Sequence, residues 1–167
     1  MADRNILMDG REIKYEGIMD VKKLGALIYR WFKEHHYNLV ERINFEQTFE
    51  EGKQLEWKIA PFKRYDDYTK SEIKVSTALS GLKEVEVDLN GVKRKLWKGK
   101  ASIKFTATLI TDAFHRWNER PFVFFIRVLM DKFILKSPIS EAEGKCRADC
   151  EALIDEIKSF LNLHRFV

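Results

Sequence analysis

Cysteine, proline and glycine are all scarce in this chain. Three prolines and eight glycines in 167 residues exclude collagen-like repeats and Pro/Gly-rich low-complexity sequence. The two cysteines, Cys146 and Cys150, cannot make a disulfide framework. They stand four apart on a predicted helix, so they share a face, and a bridge between them would strain disulfide geometry. Reduced, buried thiols and a cytoplasmic setting are expected. Long apolar runs are missing as well. The most apolar stretch, residues 121–135, is broken by Arg127, Asp131 and Lys132, which argues against a transmembrane span of about 20 residues. Residues 1–20 mix charged and apolar groups, so no secretory signal is expected. There is no glycine-rich phosphate loop, no HExxH and no CxxC, and the histidines are scattered at 35, 36, 115 and 164. No cofactor and no metal is therefore expected. A strong excess of one charge is lacking too: 30 basic against 26 acidic residues give +4, far from a histone-like polycation.

What remains is 45% hydrophobic and 34% charged residues, enough apolar matter for a folded core. Residues 1–11 are expected to be a flexible tail and residues 12–167 a single domain. A short strand is predicted near 12–18. Asp20 offers a helix N-cap, and Val21, Leu24, Leu27, Ile28, Trp31 and Phe32 follow at helical spacing, predicting a helix over 21–36. From Leu39 to Thr111 the period is two. Gly52, Gly81 and Gly99 read as turns or bends, and Asn90-Gly91 is a strong two-residue hairpin signal. About six strands result, joined as an antiparallel meander. Pro121 opens a predicted helix to about residue 136, which Ser137-Pro138 stops. Ser140 and Glu143 suggest a capping box for a last helix over about 141–162, with Cys146, Cys150, Leu153, Ile157, Phe160 and Leu161 as its apolar stripe. The fold class is α+β: an antiparallel sheet with an N-terminal helix and two C-terminal helices packed on one face.

This element order resembles the helix-grip fold of START and Bet v1-like proteins, in which a long C-terminal helix closes a hydrophobic cavity over the sheet. The likeness spans residues 12–163. One helix rather than two follows the first strand, and an extra apolar helix precedes the last. The segments WFKEHHYNLVER (31–42), DDYTKSEIKV (66–75) and KGKASIKFTATLITD (98–112) are similar to uncharacterised small proteins of archaeal type, a resemblance that implies no activity.

Four features bear on function. The segment 92–104 holds Lys93, Arg94, Lys95, Lys98, Lys100 and Lys104 and no acid, leaving 24 basic and 26 acidic residues elsewhere. With Trp97 as a stacking group, it is a candidate nucleic-acid-binding strip; the competing reading is a solvated face that pairs with Glu84, Glu86 and Asp88. The predicted helix 121–136 is apolar nearly all round and must be buried or meet a partner. Cys146 with Cys150 is half a soft-metal site at best, and Asp112 with His115 a minimal acid–base pair without a nucleophile. No catalytic residue is assigned. The expected function is a non-enzymatic binding or interaction domain that takes a hydrophobic small molecule or lipid, or a second copy of itself as a homodimer, through Trp31, Phe124, Phe125, Val128 and Leu135. The alternative is a nucleic-acid- or ribosome-associated protein that uses the strip 93–104.

Overall fold

Two long strands dominate the computed structural model, which describes residues 3–49, 52–89, 91–111, 129 and 136–163. The elements are β1 (Asp3–Met19), α1 (Val21–Glu34), β2 (Glu41–Phe49), β3 (Gly52–Ile59), β4 (Phe62–Arg64), β5 (Thr69–Leu89), β6 (Val92–Thr111) and α2 (Lys136–Leu163). The described residues thus form an α+β fold with a six-stranded antiparallel sheet ordered β1-β6-β5-β3-β2, and β4 pairing with β5. Strand β1 lies beside β6, so the first and last of the described strands are neighbours.

Alternation decides which face is buried. Ile73, Val75 and Leu79 of β5 and Ala101, Ile103, Phe105, Ala107 and Leu109 of β6 are buried on the inner face, as their period of two predicts. On α1, Leu24, Leu27, Ile28, Trp31 and Phe32 are buried, and the Asp20 carboxylate accepts from the Lys23 amide at 3.1 Å. On α2, Ala142, Cys146, Cys150, Leu153, Ile154, Ile157 and Leu161 are buried. This helix packs across β1, β5 and β6 and against α1. Both stripes follow the helical repeat, so one apolar layer joins the two helices to the sheet.

Three boundaries differ from the sequence expectation. Residues 3–11 are not a tail; they continue β1 and pair with residues 105–111 of β6. Register shifts between Ile6 and Met8 and between Met8 and Arg11 interrupt the alternation there, which hides the strand in the sequence. Gly81 and Gly99 do not end strands. Gly81 has φ +62° and sits in a bulge between Ser80 and Lys83, where the left-handed backbone favours glycine. A Cβ on Gly99 would stand 2.8 Å from the Ser80 carbonyl oxygen. The expected chain of short strands is therefore two strands of 21 and 20 residues. Finally, α2 begins by Lys136, so Ser137-Pro138 does not stop a helix. Both residues lie within α2. Ser140 is inside the helix and no capping box forms; Glu143 instead accepts from the Asn5 amide at 2.7 Å. The expected helix over 121–136 falls outside the described residues except Leu129 and Lys136, which are helical; Leu129 is 40% exposed.

Gly17 of β1 pairs with Gly99 of β6. Gly99 lies against Ser80 and Gly81 of β5, and a Cβ on Gly52 of β3 would meet Gly81 at 3.0 Å. Four adjacent strands thus meet at glycine along one line. Gly99→Ala is expected to destabilise by about 1–3 kcal/mol through overpacking against backbone. Gly25→Ala, on α1 with open space around it, should stabilise by up to about 1 kcal/mol. Paired urea titrations check both signs.

Candidate functional site

The basic strip changes character once it is paired. Antiparallel register sets Asp88 opposite Lys93, Glu86 opposite Lys95, and Glu84 opposite Trp97. The Lys95 ammonium is 2.9 Å from Glu84 Oε1, which raises the lysine pKa. On the other side of β6, Glu12 stands opposite Lys104 and Glu16 opposite Lys100, with Lys100 3.9 Å from Glu16. Glu12 is held below its ordinary range, first by the Ser102 hydroxyl at 2.6 Å and then by the charges of Lys14 and Lys104. Much of the strip is therefore neutralised across the strands. Arg94 is exposed near the hairpin end, opposite Val87.

Trp97 is not on the lysine face. Strand alternation turns it to the inner side, where it packs half-buried against the core with the Lys53 ammonium 5.7 Å over its ring. Lys53 is in turn paired with Glu46. The lysines Lys98, Lys100 and Lys104 point outward. Their partners on β5 are Lys83, Ser80 and Ser76. A groove of about 550 Å³ on this outer face is lined by Glu16, Gln54, Ser80, Gly81, Lys83, Lys98, Gly99 and Lys100. It adjoins a second hollow of about 440 Å³ that includes Lys14, Ala78 and Ser102. Lys83 and Lys98 face each other across the strands and form no ion pair among the described residues.

The inner face carries a different chemistry. Helix α1 ends in a Schellman motif: His36 takes φ +59°, its amide donates to the Lys33 carbonyl, and the Tyr37 amide donates to the Phe32 carbonyl at 2.9 Å. The Phe32 and Tyr37 rings meet at 5.4 Å. This turn drives Tyr37 inward, where its hydroxyl donates to Asp149 Oδ2 of α2 at 2.9 Å. Lys63 stands 4.0 Å from the same oxygen and over the rings of Tyr37 and Tyr65. Burial raises the pKa of Tyr37, Tyr65 and Cys146, which the nearby Ser71 hydroxyl only partly offsets, and among the described residues that hydroxyl is aligned as a hydrogen bond to none of them. The Tyr65 hydroxyl is likewise buried without a hydrogen-bond partner. Further along the face, Trp57 and Thr77 are register partners; the Trp57 Nε1 and the Thr77 Oγ1 are both buried and have no hydrogen-bond partner among the described residues. Hydrophobic periodicity could not single these out, because Thr77 and Ser71 occupy core positions that look like interruptions of an apolar alternation.

Trp31 is 2% exposed. It stacks on the His35 ring at 3.8 Å and meets Phe32 edge-on at 5.3 Å, so it belongs to the wall of the core. Phe124, Phe125, Val128 and Leu135, with Asp112, His115 and His164, lie outside the described residues. Asp66 is a turn residue whose carboxylate accepts from the amides of Tyr68 and Thr69 at 2.6 Å. Among the described residues no cluster of three or more metal-ligating groups occurs, and no helix is long and apolar enough to cross a membrane. No protein-family model matches the sequence, and no curated protein matches it.

Cys146 and Cys150 are free and fully buried, and the Cys150 thiol lies 3.7 Å from the Met8 sulfur. Burial pushes the Cys146 thiol up to about 11 and the Cys150 thiol up to about 12. Burial, then the Asp149 charge, also raises Tyr37. An acid whose folded pKa is raised stabilises the fold below its ordinary pKa, and that contribution is lost as pH rises through the folded value. Stability should therefore fall between the ordinary thiol value of 9.0 and about 12. Thermal melts across that range check the trend, and iodoacetamide at pH 8 should label neither thiol in the folded protein.

Proposed function

We propose that the chain is a non-enzymatic binding module of helix-grip type, which takes up a small, largely apolar molecule against the inner face of the sheet. Two architectural features support this reading. Strand β1 lies beside β6, the last described strand, and the long C-terminal helix α2 crosses β1, β5 and β6, as a helix over a gripped cavity would. The observation that carries the proposal is the pair Trp57 Nε1 and Thr77 Oγ1. They stand side by side on the inner face, buried and without hydrogen-bond partners among the described residues. A buried polar group left unpaired costs about 1–3 kcal/mol, and such groups are rare enough in folded proteins to call for an explanation. A ligand with an apolar body and an oxygen that accepts from the indole would remove that cost while keeping the apolar contacts of Leu55, Leu79 and Ile59 around it. The absence of a nucleophile paired to a base among these residues favours binding over turnover.

The test is native mass spectrometry of the purified protein, followed by denaturation and analysis of the released small molecules. A bound species of defined mass, lost in Trp57→Phe, is the expected result. A single ligand-free mass, together with no thermal shift from any fraction of a total lipid extract, would overturn the reading. In the ligand-free protein Thr77→Val should raise stability by about 1 kcal/mol, because it replaces an unpaired hydroxyl with a methyl of the same shape.

A further inference from the structure

On the opposite face of the sheet, and independently of any internal ligand, we infer a binding track for the phosphate backbone of a nucleic acid. It is not the whole strip 93–104 but the groove centred on Lys83, Lys98 and Lys100.

The first argument is electrostatic. Like charges directly opposite on neighbouring strands are unfavourable. Lys83 and Lys98 stand in that position, exposed and without an ion pair among the described residues. The acids near this face lie at its margins, and Glu56 of β3, opposite Ala78, is paired with Lys58 at 2.8 Å. Glu12 and Glu16 are on β1 beside Lys104 and Lys100, while Glu84, Glu86 and Asp88 alternate to the other face of the sheet, with Trp97. The β5 side of the lysine row carries only Ser76, Ala78 and Ser80. An anion that settles along that side meets Lys83 and Lys98 directly, while Glu16 at its β1 margin is engaged by Lys100 and Glu56 at its β3 margin by Lys58.

The second argument is geometric. Lys98, Lys100 and Lys104 occupy alternate outward positions of one strand, so the row extends for about 20 Å at the usual rise of a β-strand. Such a row suits an elongated polyanion better than a single phosphate. The floor beside it is small: Ala78, Ser80, Gly81, Gly99 and Ser102 line the two adjoining hollows. The glycines there exist for strand packing, and the bulge at Gly81 is what turns Lys83 onto this face. Trp97 is on the inner side, so this track offers the lysines but not the indole for stacking. The contact is therefore one of backbone charge, independent of sequence.

The experiment is fluorescence anisotropy with a fluorescein-labelled 20-nucleotide poly(U) RNA over a range of salt. Binding should be measurable at low ionic strength and weaken with salt, with a log–log slope near −2 for about three neutralised phosphates on a single strand. Lys83→Glu should abolish most of that affinity, about tenfold or more. The same change should raise the melting temperature, since it replaces a like-charge pair with an attractive one. Lys22→Glu/Lys23→Glu, on exposed α1 positions away from the track, lowers the net charge further and should leave most of the binding intact. No binding at low salt would overturn the inference, as would equal affinity in Lys83→Glu. Equal losses in the two variants would overturn it too, by reducing the effect to net charge. A loss of binding with a lowered melting temperature would mean that Lys83 acts through the fold. Lys98→Gln then decides: retained affinity in a stably folded Lys98→Gln protein would also sink the inference.

Discussion

The antiparallel pairing of β5 with β6 is the constraint on which the rest of this molecule depends. It runs from Thr69↔Thr111 at one end to Leu89↔Val92 at the other, and every other described strand is attached to it, β2 through β3. Strand β1 adds to the free edge of β6, and β3 and β4 add to β5. Because side chains alternate along both strands, this single pairing also separates the two surfaces. Ile73, Val75, Ile103 and Phe105 go to the core, and Ser76, Ser102 and Lys104 go outward. The bulge at Gly81 is the one place where that assignment is shifted. It brings Lys83 onto the same face as Lys98 and Lys100, and turns Glu84 to the other side.

The glycine line has a physical reason beyond one bulge. Gly17, Gly99, Gly81 and Gly52 belong to four successive strands, and at Gly99 and Gly52 a Cβ would press on neighbouring backbone. Side chains there would force the strands apart where the sheet must stay closely paired. The helical layer is held by a separate device. The Schellman turn at His36 ends α1 and directs Tyr37 toward Asp149 of α2, so one buried phenol ties the end of the first helix to the middle of the second.

The two faces of the sheet therefore present different chemistry from the same strands. The inner face is apolar with a few buried polar atoms, and the proposed internal ligand rests on Trp57 and Thr77. The outer face is hydrophilic with an uncompensated pair of cations, and the inferred track rests on Lys83 and Lys98. Neither site includes a nucleophile set against a base. The thiols of Cys146 and Cys150, the strongest nucleophiles available, are held protonated by burial.

Much of this fold can be read directly from residue order. The apolar stripe of α1, the Asp20 cap, the inner alternation of β5 and β6, the hairpin that joins Leu89 to Val92 and the buried cysteines all express local periodicity or local turn chemistry, which neighbours in sequence are enough to set. The first ten residues, the length of β5 and β6 and the start of α2 could not be read that way. Bulges at Met8 and Gly81 interrupt the period without ending the strand, and Ser137-Pro138 reads as a helix stop although both residues lie within α2. The candidate sites divide likewise. Sequence alone determined that segment 92–104 is rich in cations, and that Thr77 and Ser71 occupy positions within a strand. Only the tertiary structure decided which of those cations meet carboxylates on adjacent strands and which meet another lysine. It also decided that the hydroxyls of Thr77 and Ser71 are buried with no aligned partner among the described residues. Both outcomes depend on register between strands far apart in the chain, because charge neutralisation and hydrogen bonding act over a few ångströms of space rather than along the sequence.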